Sequence, residues 1–251
     1  MGVTFFHIES EKFDREFDAL SKISSILKDA GLRKNDNFWT NLIMFFFREL
    51  YENLTLYEKS LLQTKSEREI KEFIRRKLEL NNIFSEKYLL IVDLETQNSH
   101  PNLLGFYDIK IRSSCWSSYF TFECKCLDNT AFSISEYVYN PNKSSKTKGK
   151  FEDGGMYRFL INKYSTNICF GGMIGFLQKG SLKATKESIC TQIQNLCLKD
   201  SDIEYGSLTA NGISDTIDEY IFFTYHNKYD IIEKKNCGSI KLHHLIYDFT
   251  A

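Results

Sequence analysis

The pattern of apolar and polar positions changes period near residue 84, and that change separates two sets of predicted elements. Before it the spacing is helical. Phe13, Phe17, Leu20, Ile23 and Leu27 recur at helical intervals across residues 11–27, and Gly31 is placed to end that helix. Trp39, Leu42, Ile43, Phe46, Leu50 and Leu54 keep the same rhythm in a second helix, for which Asn35, Asp36 or Asn37 can serve as cap. A third helix opens at Ser66 and sets Ile70, Phe73, Ile74 and Leu78 on one stripe of a charged surface.

Beyond residue 84 the period is two. The alternation predicts strands over residues 88–95, 106–112 and 119–127. Residues 140–150 read as a polar loop, and Glu152-Asp153-Gly154-Gly155 leads into a helix through Tyr157, Phe159 and Lys163. A further strand covers residues 168–178, where Gly171, Gly172 and Gly175 mark close approach or a bulge. A helix over 182–198 and strands over 220–225 and 239–249 complete the order, with no internal repeat. Helices followed by three strands, then helix and strand, predict a mixed α/β or α+β chain. Its organisation is a helical N-terminal section over residues 1–84 and a sheet-bearing core over 85–251.

Composition narrows this only a little. With 42% hydrophobic and 26% charged residues the chain can bury a globular core, and its 2 prolines favour regular elements over extended linkers. A net charge of −1 excludes a strongly basic, tail-driven nucleic-acid binder, although a local basic patch is enough to hold phosphates. The 7 cysteines are odd in number and no two stand at Cys-x-x-Cys spacing, which favours free thiols over a disulfide framework or zinc. No run approaches the roughly 20 apolar residues of a membrane span, and the N-terminus lacks the basic and apolar segments of a secretion signal. A cytoplasmic protein without a membrane partner is the expectation.

The stretch that carries chemistry is Phe106-Tyr107-Asp108-Ile109-Lys110-Ile111-Arg112, followed by Tyr119-Phe120-Thr121-Phe122-Glu123-Cys124-Lys125-Cys126-Leu127. Residues two apart on a strand share a face. Tyr107, Ile109 and Ile111 therefore form an apolar face with Asp108 and Lys110 opposite; Phe120, Phe122, Cys124 and Cys126 do the same with Glu123 and Lys125 opposite. A hairpin with Arg112 opposite Tyr119 brings Asp108 opposite Glu123, at the roughly 4.5–5.5 Å spacing of cross-strand neighbours. Two carboxylates that close repel unless a cation neutralises them, and Mg²⁺ typically takes one or two carboxylates with waters and a phosphate oxygen. Lys125, one pleat further on, can hold or deprotonate an attacking water and stabilise charge on a phosphate. A solvated face with surface ion pairs produces the same pattern and is the plain alternative.

Asp108 followed by Glu123-Cys124-Lys125 on the next strand resembles the PD-(D/E)XK, or restriction-endonuclease-like, nuclease superfamily, across roughly residues 88–178. Tyr107 stands where that family often has proline. The resemblance implies an αβββαβ core with a mixed sheet, Asp108 and Glu123 as ligands of Mg²⁺ or Mn²⁺, and Lys125 as catalytic lysine. It implies hydrolysis of phosphodiester bonds, on DNA rather than RNA, in a restriction or phage-defence setting. Glu49, from an N-terminal helix, and Glu95, at the end of the first strand, are candidate accessory acids. Arg158 and Lys163 are candidates for a phosphate contact, and Lys143, Lys146, Lys148 and Lys150 for contacts to a nucleic-acid backbone. His243 and His244, adjacent on a strand, face opposite ways and do not form a joint metal site. The chain shows no motor and no sequence-reading module, so a protein partner, or self-association through the N-terminal helices, is a further expectation. A non-catalytic scaffold on the same fold and an RNase are the competing readings.

Overall fold

The computed structural model describes residues 35–97, 105–145, 149–164, 168–199, 210–213, 219–230 and 232–250. The helix expected over 11–27 lies outside them. The chain divides into two compact units, residues 1–44 and 45–251, and of the first only the opening turns of one helix are described. Residues 45–84, expected to belong with the helical N-terminal section, are thus part of the same unit as the sheet.

Helix α1 (Asp36–Glu52) ends earlier than its apolar spacing suggested. Thr55 restarts the chain as α2 (Leu56–Leu62): its hydroxyl accepts the Glu58 N–H, and the Glu58 carboxylate accepts the Thr55 N–H in return. The same box, made by Ser66 and Glu69, opens α3 (Glu67–Glu79), as the sequence predicts for its start. A π-helical turn over Ile83–Lys87 leads into the sheet.

Among the described residues that sheet has seven strands: β1 (Leu90–Gln97), β2 (Phe106–Ser113), β3 (Tyr119–Leu127), β6 (Phe170–Leu177), β7 (Ala210–Ile213), β8 (Ile221–Asp230) and β9 (Lys235–Asp248), in spatial order β1-β2-β3-β6-β9-β8-β7. β1, β2 and β3 run antiparallel, β6 is parallel to both β3 and β9, and β8 returns antiparallel to β9. A parallel neighbour demands a long crossover. The connection from β3 to β6 carries α4 (Ala131–Tyr137), a separate hairpin of β4 (Asn140–Ser145) and β5 (Gly149–Asp153), and α5 (Gly155–Leu160). Helix α6 (Leu182–Lys199) follows β6. The hairpin occupies what the sequence suggested was a polar loop, and α5 stops before Lys163.

Both faces of the sheet centre are covered. Phe47 and Tyr51, from the end of α1, place their rings 4.4 Å from Phe122 and 4.7 Å from Tyr247, and the Tyr247 hydroxyl donates to the Phe47 carbonyl. Tyr137, Met156, Phe159, Leu160, Ile189 and Ile193, all from α4, α5 and α6, form a buried cluster with Leu127, Met173, Leu177, Leu242 and Ile246. Every residue of β6 is buried. Its glycines mark close approach, as expected: a Cβ on Gly172 would fall 2.3 Å from the Phe122 ring, and one on Gly175 would fall 2.4 Å from Leu127 Cδ1.

Candidate active site

β2 and β3 pair from Arg112↔Tyr119 to Ile109↔Phe122, the register expected from the alternation. There the ladder stops, one residue short of Asp108 and Glu123. Instead of a backbone bond at this point, the Asp108 carboxylate accepts the Cys124 N–H, 2.8 Å from Oδ2. The site is built where the two strands part.

The sequence placed Glu123 on an open polar face. The structure buries it at 1% exposure, because the start of α5 presses against it: a Cβ on Gly155 would lie 2.9 Å from Glu123 Cγ. Two cations reach its Oε1, Lys125 Nζ at 2.7 Å and Arg158 Nη1 at 2.7 Å. Its Oε2 is buried and has no hydrogen-bond partner among the described residues. Burial pushes the Glu123 carboxyl up; Lys125 and Arg158 pull it down, while Asp108 adds to the rise. Burial alone would lower the Lys125 ammonium, yet Glu123, Asp108 and Glu67 outweigh it and hold it above the ordinary lysine value. Lys125 also donates to the Cys124 carbonyl at 2.8 Å and stands 3.9 Å from Asp108 Oδ2.

Of the acids in the helices before the sheet, Glu67 of α3 is brought to this point, and Glu49 lies on α1. Burial pushes the Glu67 carboxyl up, and the charges of Lys125, Asp108, Lys71 and Glu123 all act on it. One turn further along α3, Lys71 is buried at 4% exposure with its ammonium 2.6 Å from Asp108 Oδ1. Sequence reasoning missed this lysine. A signal existed: Lys71 precedes Ile74 by three residues and Leu78 by seven, which puts it on the buried stripe of α3. Glu95, at φ 49° in β1, reaches Lys71 at 3.6 Å and is otherwise largely exposed.

Arg158 is where the sequence suggested a phosphate contact; its guanidinium is instead committed to protein groups. It forks onto Asp153 at 2.7 and 2.8 Å, meets Glu123, and donates to the Tyr164 hydroxyl at 3.0 Å. Burial opposes the ionised form of Asp153, but Arg158 and Lys143 overcome it and hold the carboxyl well below the usual range. Lys143, expected to touch a nucleic-acid backbone, is tied to Glu136 and Asp153 within the crossover. Lys146 and Lys148 lie outside the described residues, as does the side chain of Lys150. Lys163 lies past the end of α5, its N–H donating to the Arg158 carbonyl.

Among the described residues no three His, Cys, Asp or Glu side chains stand together in a metal-ligating arrangement. The orphaned Glu123 oxygen beside Asp108 nevertheless offers the hard donors that Mg²⁺ or Mn²⁺ accepts, with waters and phosphate oxygens completing the shell. No described helix is long and apolar enough to cross a membrane. The chain matches no known protein family, and no curated protein or solved structure is detectably similar to it.

Proposed function

We propose that the chain is a metal-dependent nuclease that hydrolyses phosphodiester bonds at Asp108, Glu123 and Lys125, with DNA as substrate in a restriction or phage-defence setting. The observation that carries this reading is the state of Glu123: a carboxylate buried at 1% exposure, one oxygen held by Lys125 and Arg158, the other without a partner. A buried polar atom left unpaired costs about 1–3 kcal/mol, and more if charged. A surface ion pair would carry no such cost, so the solvated-face alternative does not account for the arrangement. Further support comes from the element order. A helix, three antiparallel strands, a helix-bearing crossover and a strand parallel to the third follow one another, and the acids lie where the second and third strands part.

In this reading Asp108 and Glu123, through its unpaired Oε2, would hold Mg²⁺ or Mn²⁺, and Glu67 would add negative charge nearby. When bound there, such an ion would supply Lewis-acid polarisation of the phosphate and activation of water for attack. The chain's own groups fix the rest. The Cys124 N–H sets the Asp108 carboxylate, and Arg158, from α5, holds Glu123 Oε1. Lys125, its ammonium held at Glu123 Oε1, would present positive charge to the phosphate as negative charge develops. None of these contacts reads sugar or base. Choice of target therefore falls to a protein partner, or to a second copy joined through the N-terminal helices, within a cytoplasmic setting.

The test is incubation of plasmid, single-stranded DNA and RNA with the purified chain in Mg²⁺ or Mn²⁺, with EDTA and the Glu123→Gln variant as controls. Cleavage that needs metal and vanishes in the variant supports the reading and ranks the substrates. Cleavage that survives in Glu123→Gln rules out this site.

A further inference from the structure

We infer that Lys71 is a built-in counter-cation that competes with the divalent metal for Asp108 and so sets how tightly the site binds it. The inference rests on the nuclease reading of the same site and adds a determinant of metal affinity to it.

One ammonium stands among three carboxylates: Lys71 Nζ lies 2.6 Å from Asp108 Oδ1, 3.6 Å from Glu67 Oε1 and 3.6 Å from Glu95 Oε1. A lysine at 4% exposure has given up most of its water, and the oxygens of these acids stand in for that hydration. Several oxygens around one positive centre is the arrangement a metal ion would receive, with a side chain supplying the charge. The second cation, Lys125, pairs with Glu123 Oε1 at 2.7 Å and stands 3.9 Å from Asp108 Oδ2. Together the two lysines hold the carboxylates close without a metal.

A divalent ion bound by Asp108 would share that carboxylate with an ammonium 2.6 Å away, and the like charges repel. The surroundings provide the way out. Glu67 sits one helical turn before Lys71 on α3 and Glu95 projects from β1; both already flank Nζ. A small displacement transfers the ammonium from Asp108 to this pair and frees Asp108 for the metal. The cost of that transfer is subtracted from the binding energy of the ion, so the lysine weakens metal binding while stabilising the metal-free chain.

The test is calorimetric titration of Mn²⁺ into the metal-free full chain, comparing wild type with Lys71→Met. The inference expects binding about tenfold tighter or more in the variant. It also expects a lower melting temperature without metal and a larger rise on adding Mn²⁺. Lys71→Gln, whose amide can still donate to Asp108, makes the same comparison if the methionine chain does not fold. Wild-type binding with equal or weaker affinity in the variants overturns the role of Lys71 and leaves the nuclease reading standing. Absence of Mn²⁺ binding in wild type and variants alike overturns both.

Discussion

Arg158 ties the crossover to the sheet at the point where Glu123 is buried, and its removal tests that connection. In Arg158→Met the aliphatic bulk remains, but among the described residues Glu123 Oε1 keeps Lys125 as its one cation, and Asp153 keeps Lys143 at 3.1 Å. Stripping one partner from a buried ion pair costs about 3–5 kcal/mol. Here the arginine side chain is 20% exposed and each acid retains one cation, which sets the expectation at the lower end, about 3 kcal/mol. Urea unfolding followed by circular dichroism measures it. The double variant Arg158→Met/Glu123→Gln isolates the cause: once Glu123 is neutral, losing the guanidinium should cost less, by a coupling of about 1–3 kcal/mol. A loss below about 1 kcal/mol in Arg158→Met, or strict additivity in the double variant, refutes the argument that Arg158 sustains a buried Glu123 charge.

Other outcomes follow from the same geometry. Burial holds the imidazoles of His226 and His243 down at about 3, with Lys241 also lowering His243, and burial holds His244 well below the ordinary histidine value. The unfolded chain takes up these protons below about pH 6.5 and the native chain does not, so stability falls as pH drops from about 6.5 towards 3, by about 2 kcal/mol per histidine at pH 5. Urea midpoints that stay level from pH 7 to 5 would contradict this. Gly172→Ala should destabilise by about 1–3 kcal/mol through overpacking, since its Cβ would meet the Phe122 ring at 2.3 Å; an unchanged midpoint would show that the ring moves aside freely. Ser66→Ala removes one half of the capping box of α3 and should cost about 1 kcal/mol, with hydrogen exchange rising first at residues 67–70. Unaltered exchange there would show that the helix start is held by packing instead.

Much of the fold was legible wherever one face of an element is buried and the other wet. The alternation in residues 106–112 and 119–127 gave both strands and the register that joins Arg112 to Tyr119. It misjudged the environment of Glu123, because alternation reports which side faces the nearer core and not whether a second layer covers the other side. The cue to that layer was Gly154-Gly155, where the backbone of α5 comes against Glu123 Cγ. Apolar spacing carried α1 through Leu54, but the Thr55–Glu58 capping box, present in the sequence as T-x-x-E, ends one helix and starts another. The β4–β5 hairpin escaped notice for a different reason. Charged contacts from Lys143 to Glu136 and Asp153 hold it, and apolar alternation plays little part. Lys71 was lost among the charges of α3, although its spacing from Ile74 and Leu78 placed it on the buried side.

The measurement that tests the central claim most directly is single-turnover hydrolysis of a labelled DNA with Mg²⁺ by wild type and by Lys125→Met, whose unbranched side chain keeps most of the lysine stem without its charge. The account predicts metal-dependent hydrolysis by the wild type and a loss of about 100-fold or more in the variant, with the melting temperature reported alongside. Equal rates in the two proteins would contradict the placement of the active site at Asp108, Glu123 and Lys125.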